Sequence, residues 1–384
     1  MDVRRSGDAE EGRAGEEVAV PGRRRGAVRI ASLARRLARP VLVLVGLGVV
    51  AYLLHEMGAR AVLGSVRALG WTLPIVLVLP YSISLALDTL AWRLLLPDRS
   101  IPATVLLRAR LAGEAVNLVT PTAAVGGEPL KAYLLRPYVP LGEGLASVVI
   151  DKTAVVAGQV VFLLGGLGLA ASILPLESPL MITMVALFVV ELGAVVGFIV
   201  VQTLGVFGGG GRLLGRMGVA PTERYQARLN ALDHHLRRFY RERRGRVCGS
   251  ALLHAAAWAS GSIEIYLVLA FLHVSPSVLA ALVIDAFGAA VKFATFMIPA
   301  SLGALEGGYI AVFGALGFGG ALGLSYTLVR RLRELLWAAL GLVWLGSLTA
   351  RPWLAEEDGP DPIPGAHLRA SPGRGREDVR PPPC

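Results

Sequence analysis

Residues 144–174 read GLASVVIDKTAVVAGQVVFLLGGLGLAASIL. A helix needs about 20 predominantly apolar residues to cross a bilayer, and this run is longer. Similar apolar runs occupy residues 71–90, 180–204 and 248–272, and a shorter run at 41–54 is extended by its flanks. The sequence therefore predicts an all-α, polytopic integral membrane helical bundle. The last strong span is expected near residues 334–348.

The composition agrees with a chain embedded in a membrane. Hydrophobic residues make up 54% of the 384 residues and charged residues 17%, whereas soluble domains carry about 25% charge. Two cysteines, Cys248 and Cys384, give little basis for a structural disulfide. The chain has no Ser/His/Asp arrangement, phosphate-binding glycine loop or HExxH helix. We expect a protein that is not an enzyme, with no catalytic residues, metal site or cofactor.

Most of the arginines lie in two segments, residues 1–39 and 212–247, and the net charge is +10. Basic segments beside apolar spans follow the positive-inside rule, so both are expected in the cytoplasm. We predict a disordered basic tail at 1–39, a transmembrane domain at 40–350 and a disordered tail at 351–384. The protein would then be a multi-pass protein of the cell (plasma or inner) membrane, with no nucleic-acid partner.

Residues 212–247 include an amphipathic helical pattern. Its apolar positions are Tyr225, Leu229, Leu232, Leu236 and Phe239, and arginines occupy much of the remainder. Such a helix can lie on an anionic leaflet with its guanidinium groups at the lipid headgroups. A cytoplasmic helix packed on the bundle explains the pattern equally well.

Two segments align without a gap around a central proline. Residues 114–128 read EAVNLVTPTAAVGGE, and residues 292–306 read KFATFMIPASLGALE. In each segment a charged residue lies seven positions before the proline, a glutamate lies seven positions after it, and glycine stands between. Proline removes a backbone donor and glycine lets the chain reverse, so the helix is predicted to break at Pro121 and at Pro299.

Paired broken helices at membrane depth point to a transporter's binding site. Counting spans from a cytoplasmic N-terminus places the two breaks at opposite faces. We therefore predict two re-entrant or broken helices, related as an inverted repeat, that meet at a polar pocket. Glu128 and Glu306 would each begin a new helix, and helix capping alone is the alternative role for them. Arg330, Arg331 and Arg333 fit this count poorly, and if they lie at an inner interface the number of crossings after residue 272 is different.

Ionisable groups inside a span usually pair or bind a ligand, because they are costly there. Of 38 basic residues only Lys131, Lys152 and Lys292 are lysines, and all three lie in the apolar region. A compact ammonium fits a lipid phosphate, or a buried carboxylate in an internal salt bridge. The candidate substrate-binding residues are Glu114, Asn117, Pro121, Gly126, Gly127, Glu128, Lys131, Asp151, Lys152, Lys292, Pro299, Gly303 and Glu306.

These motifs resemble the transmembrane region of lysylphosphatidylglycerol synthases, a family often labelled flippase-like. Its first motif looks like residues 117–131, its acidic-basic pair looks like Asp151-Lys152, and its P-x-x-x-G-x-x-E motif looks like residues 299–306. The family commonly has arginine where Lys131 and Lys152 stand. The resemblance covers about residues 40–350. It implies a stand-alone membrane module without the aminoacyl-transfer domain, so lysyl transfer is not expected.

The function favoured by these observations is lipid translocation, passive or driven by an ion gradient, since no ATP-binding motif is present. The resemblance leaves the substrate among a charged phospholipid, a polyprenyl-linked sugar and a hopanoid-type lipid. The main alternative is a membrane-embedded scaffold or accessory subunit, whose arginine-rich segments recruit a lipid-modifying or glycosyltransferase enzyme. A third interpretation is intramembrane transferase chemistry at Glu128 and Glu306.

Overall fold

The computed structural model describes residues 64, 67–96, 101–120, 126–204, 223–275, 277–296, 298–301 and 303–348. Every regular element in this part of the chain is helical. The predicted tails at 1–39 and 351–384, the predicted span at 41–54 and Pro121 lie outside the described residues.

Eleven α-helices follow one another in the described residues, and 3₁₀ turns at Gly70–Thr72 and Pro299–Ser301 precede the first and the tenth. The helices are α1 Leu73–Leu95, α2 Ala103–Val119, α3 Gly127–Leu134, α4 Leu141–Ala170, α5 Pro179–Leu204, α6 Glu223–Glu242, α7 Arg244–Ser260, α8 Ser262–Phe271, α9 Val278–Ala294, α10 Ala304–Ala315 and α11 Gly320–Leu348.

Among the described residues, four helical segments are long and apolar enough to cross a membrane: Arg67–Leu95, Leu141–Ala170, Pro179–Leu204 and Arg244–Phe271. They confirm the four long spans predicted from the sequence. The chain is therefore an all-α, multi-pass membrane protein.

The last helix differs from its prediction. A span was expected to begin near residue 334, but α11 begins at Gly320 and continues for 29 residues through Arg330, Arg331 and Arg333. All three arginines are buried in the bundle. The apolar run predicted near 334–348 therefore forms the second half of this helix, and the three arginines before it pair with carboxylates of other helices.

Several helix ends lie at the end of the bundle that carries α6, which we name the basic end. Arg246 at the start of α7 donates a hydrogen bond to the Leu96 carbonyl after α1, at 3.0 Å. Leu96 shares a hydrophobic cluster with Val139, just before α4. The guanidinium of Arg108 lies 4.1 Å from the ring centroid of Trp344, near the end of α11. Helices α1 and α11 therefore both end at the basic end, and α4 and α7 begin there.

The other ends of these helices lie at the opposite end of the bundle, which we name the far end. Leu69 before α1, Leu174 after α4, Val274 after α8 and Phe318 before α11 belong to one large hydrophobic cluster. Helices α1, α4 and α11 thus each run from one end to the other.

Two short helical hairpins lie between these long helices. The first consists of α2 and α3 and opens to the basic end, where Leu106 and Leu135 share a cluster. The second consists of α9 and α10 and opens to the far end, where Leu279 and Leu316 join the large cluster. The two hairpins therefore open in opposite directions, which is the relation that an inverted arrangement requires.

Helix α6 packs against the bundle at the basic end. Leu236 is fully buried in a cluster with Leu232 and Phe239, and Tyr240 donates a hydrogen bond to Gln202 on α5 at 2.9 Å. The part of the predicted apolar stripe from Leu232 to Phe239 therefore contacts protein. This contact supports the second interpretation, a helix packed on the bundle.

Candidate functional site

Asn117 closes the tip of the first hairpin. Its Oδ1 accepts a hydrogen bond from the Gly127 amide at 2.6 Å, and its Nδ2 donates to Glu128 at 3.2 Å. Gly127 lies directly on the backbone of Gly113, where a Cβ atom would overlap the Gly113 carbonyl. The two glycines let α2 and α3 meet at their backbones, and this contact places Glu128 beside α2.

Two lysines neutralise Glu128. The Nζ atom of Lys131 lies 3.2 Å from Oε2, and the Nζ atom of Lys152 lies 3.5 Å from Oε1. The side chain of Lys131 is 5% exposed and that of Lys152 is 38% exposed. Lys131 is therefore an internal partner, while Lys152 remains accessible from outside the bundle.

Arg110 on α2 joins the hairpin to three carboxylates. Its side chain is 3% exposed and contacts Glu114 at 3.2 Å, Asp151 at 3.1 Å and Asp88 at 3.8 Å. The sequence analysis missed Arg110. The signal that identifies it is its position one helical turn before Glu114, which favours an i,i+4 ion pair.

His254 links the remaining oxygens of two of these carboxylates. Its Nδ1 lies 2.6 Å from Asp88 Oδ1, and its Nε2 lies 3.0 Å from Asp151 Oδ1. Because carboxylates only accept hydrogen bonds, this geometry fits an imidazolium that donates from both nitrogens. We name the following eight residues the first network: Arg110, Lys131, Lys152, His254, Asp88, Glu114, Glu128 and Asp151. Four positive and four negative groups then balance.

The second hairpin breaks where the chain adopts left-handed backbone angles. Ala300 and Ser301 have φ values of 51° and 52°, and Gly303 has 78°. The Gly303 amide donates to Glu306 Oε2 at 2.7 Å, so Glu306 caps α10. Capping is not its sole contact, since its Oε1 accepts from both Nε and Nη2 of Arg331, at 3.0 and 2.8 Å.

Glu334 on α11 is the centre of the second cluster of charges. It contacts Arg331 at 2.9 Å, Arg330 at 3.6 Å and Lys292 at 3.7 Å. Arg330 also contacts Asp285 at 3.7 Å, and Arg333 pairs with Glu264. We name these residues the second network: Lys292, Arg330, Arg331, Arg333, Glu264, Asp285, Glu306 and Glu334. It also holds four positive and four negative groups.

The α11 arginines, which fitted the span count poorly, are buried: Arg330, Arg331 and Arg333 are 7%, 2% and 8% exposed. Their carboxylate partners come from α8, α9, α10 and α11 itself. They were not among the predicted site residues, and they belong to the candidate site.

Tyr81 on α1 joins the two networks. Its hydroxyl donates to Glu114 Oε2 at 2.9 Å, and its ring lies 5.2 Å from the Arg333 guanidinium. The ring also packs on Trp337 of α11, with centroids 4.8 Å apart. Tyr81, Lys152 and Arg331 all lie more than two turns from either end of their helices. Tyr81 therefore links the two networks near the middle of the bundle, through its contacts with α2 and α11.

The predicted site residues that the structure describes fall into three groups. Asp151 and Lys131 are deeply buried in internal pairs. Lys292 and Lys152 are 46% and 38% exposed, and Glu114 is 34% exposed, so these are the accessible charges of the two networks. The tip positions Asn117, Gly126, Gly127, Gly303 and Glu306 lie at or beside the helix breaks. Pro299 begins the 3₁₀ turn of the second break.

The fold and site define a class: a polytopic helical membrane protein with two opposed hairpins and a paired ionic site. The family model for the lysylphosphatidylglycerol synthase TM region matches residues 40–341, so the chain belongs to this family. This confirms the resemblance seen in the motifs. No curated protein and no solved structure matches the chain. The family indicates a membrane domain related to lipid modification or translocation.

Proposed function

We propose that the protein is a lipid translocase, which moves a headgroup between leaflets along the two networks while the acyl chains stay in the bilayer. The observation that carries the proposal is the junction at Tyr81, which contacts Glu114 of the first network and Arg333 of the second. The first hairpin and α11 are thus connected at mid-depth, between two hairpins that open to opposite ends. Discontinuous helices in this arrangement are typical of alternating-access transporters.

Lys152 and Lys292 are the residues best suited to contact a phosphate. Each is partly exposed and lies 3.5 and 3.7 Å, respectively, from its carboxylate. An ammonium group has three donors, so a phosphate oxygen can bind at either lysine. The buried Arg110, Lys131 and Asp151 then position the site without contacting the headgroup.

The carboxylates offer a complementary contact for a positively charged headgroup. Glu114 is 34% exposed and Glu306 is 19% exposed, one in each network. A headgroup with both a phosphate and an amine would therefore find a partner for each charge in either network. These balanced charges favour a zwitterionic or anionic lipid over a neutral one.

We assign the basic end to the cytoplasm of a cell-membrane protein whose N-terminus is also cytoplasmic. Arg237, Arg238, Arg241 and Arg244 are exposed there, and the positive-inside rule favours this side. These arginines would contact the anionic leaflet although the apolar stripe of α6 packs on protein. Since α11 ends at the basic end, residue 348 lies on the same side.

The test is lipid movement in proteoliposomes that contain headgroup-labelled fluorescent lipids. The full chain is expected to expose inner-leaflet lipids to an external reductant faster than empty vesicles do. The double variant Lys152→Met/Lys292→Met should lose most of this acceleration, because both phosphate contacts are removed. Arg237→Met removes an exposed cation outside both networks and serves as the matched control.

The same assay can contradict the translocase proposal. If no labelled lipid of the phospholipid, polyprenyl or hopanoid classes moves faster than in empty vesicles, the translocase proposal is wrong. Deletion of residues 1–28 separates the two main functions, because a scaffold needs its basic tail to recruit an enzyme and a translocase does not. Loss of cellular function on this deletion, with no lipid movement by the full chain, would favour the scaffold.

A further inference from the structure

Glu191 is an isolated carboxyl group outside both networks. It lies at the middle of α5, is 0% exposed, and neither of its carboxylate oxygens has a hydrogen-bond partner. It forms no ion pair with any of the described residues. An ionisable residue inside a membrane span usually faces the bundle and marks a path for an ion or a proton.

The surroundings of Glu191 on its own helix are apolar. Met184 and Val195, which lie two turns before it and one turn after it, are buried. Leu187 and Phe188, one turn before it, pack against the large hydrophobic cluster. The carboxyl group is therefore held in the apolar interior of the protein.

The charged groups of α4 lie at a different depth. Gln202 on α5 donates a hydrogen bond to Thr153 on α4, which fixes the register of these two helices. Asp151 and Lys152 share that level, and Glu191 is 11 residues from Gln202, about 16 Å along the helix. Glu143, in the first turn of α4, is farther away at the basic end.

The charged groups of α9 face other helices. Asp285 contacts Arg330 on α11 and closely approaches Gly261 before α8. Lys292 points to Glu334 on α11. Helix α6 meets α5 at the Tyr240–Gln202 hydrogen bond, at the basic end. Arg237, Arg238 and Arg241 of α6 lie within one turn of Tyr240, at that end, and among the described residues neither oxygen of Glu191 has a partner on α4, α6 or α9.

We propose that Glu191 is the proton-binding site that couples lipid movement to a proton gradient. A carboxylate without a partner in an apolar interior takes up a proton in preference to staying charged. Water on one side of the membrane donates the proton while the carboxylate is still accessible, and the O–H bond then persists while α5 is packed on α4 and α9. When the helices separate toward the other side, the O–H bond breaks and water there accepts the proton. This inference rests on the proposed translocase function.

Infrared difference spectroscopy of the full chain in liposomes tests the proton site without any transport assay. At neutral pH the protein is expected to show the C=O stretch of a protonated carboxylic acid, and Glu191→Gln should remove that band. Glu177→Gln, a change at an exposed glutamate just before α5, should leave it in place. A band unaffected by Glu191→Gln, or no band at all, would overturn the proposal. The neutral glutamine has nearly the shape of the protonated side chain, so the fold should survive.

Lipid movement under an imposed pH gradient tests the coupling. The gradient is expected to accelerate headgroup movement by the unchanged chain, and Glu191→Gln should lose the gradient-dependent part of the rate. A rate that is indifferent to the gradient would overturn the coupling even where the infrared band is present. If the chain moves no lipid under any condition, the translocase function itself fails, while the infrared result still decides whether Glu191 holds a proton.

Discussion

The two hairpins share the same arrangement of a helix break and a glutamate, but they differ in the helix that supplies the cations. Each breaks a helix, resumes with a glutamate in the first turn of the returning helix, and pairs that glutamate with cations. In the first hairpin one of the cations, Lys131, belongs to the hairpin itself. In the second hairpin the cation for Glu306 is Arg331, on the crossing helix α11.

This difference indicates which tip is rigid. The tip of the first hairpin is closed by backbone contact between Gly113 and Gly127 and by the two hydrogen bonds of Asn117. The second tip is closed by the cap of Glu306 and depends on α11 for its ion pairs. We therefore expect the first hairpin to be a fixed element and the second to move relative to α11 during transport.

The largest difference in the loss of stability is expected between the variants Arg110→Met and Arg331→Met. Removing Arg110 leaves three carboxylates beside a buried apolar side chain, and the free energy of unfolding should fall by about 3–5 kcal/mol. After removal of Arg331, Glu334 keeps Arg330 and Lys292, and Glu306 keeps the Gly303 amide. The loss there should be about 2 kcal/mol. Unfolding in detergent micelles measures both losses, and equal values would show that the two networks are equally redundant.

The next largest difference in the loss of stability is expected between glycine substitutions in the two hairpins. Gly127→Ala places a methyl group on the Gly113 carbonyl, where only backbone movement can relieve the overlap, and should cost about 3 kcal/mol. On the second hairpin a Cβ atom at Gly308 would lie 3.2 Å from a side-chain methyl of Val291, which can shift. Gly308→Ala should therefore cost less, as judged by the midpoint temperature of unfolding. Gly142→Ala meets no atom within 4 Å and is the control; a loss there as large as at Gly127 would contradict the argument.

The sequence was a good guide to the hairpins themselves. Proline and glycine determine where a helix stops, and these effects are local, so the break at Pro299 could be placed from the residues alone; Pro121 lies outside the described residues. The pairing of Glu128 with a lysine also follows from helical spacing, since Lys131 lies one turn later. Opposite hairpin directions followed from counting the apolar runs.

The partners from distant helices could not be read from the sequence. His254 lies 166 residues from Asp88, and nothing in its neighbourhood distinguishes it from a histidine at the end of a span. Arginines 330, 331 and 333 resembled a cytoplasmic flank because their carboxylates come from four different helices. Such pairing depends on tertiary packing, which spacing along one helix does not show.

A smaller difference in the loss of stability is expected between alanine variants of Asn117 and of Thr295, the residue aligned with it in the second segment. Asn117→Ala removes two hydrogen bonds that hold the first tip closed, at a cost of about 2 kcal/mol. The Thr295 hydroxyl donates to Val291 on its own helix at 2.7 Å, so Thr295→Ala should change stability by less than about 0.5 kcal/mol. Chemical unfolding of both variants measures the difference. A comparable loss at Thr295 would show that both tips are closed by the residue four positions before the proline.

The smallest effect is expected at the junction between the networks. Tyr81→Phe loses the hydrogen bond to Glu114 but keeps the ring against Arg333 and Trp337, so the free energy of unfolding should fall by about 1 kcal/mol. Tyr81→Leu also loses the cation–π and aromatic contacts and should fall further. If the two networks act on one headgroup, both variants should slow lipid movement in the same order. Equal stability of the two variants would mean that the hydroxyl alone joins the networks. The ring contacts with α11 would then contribute nothing to the junction.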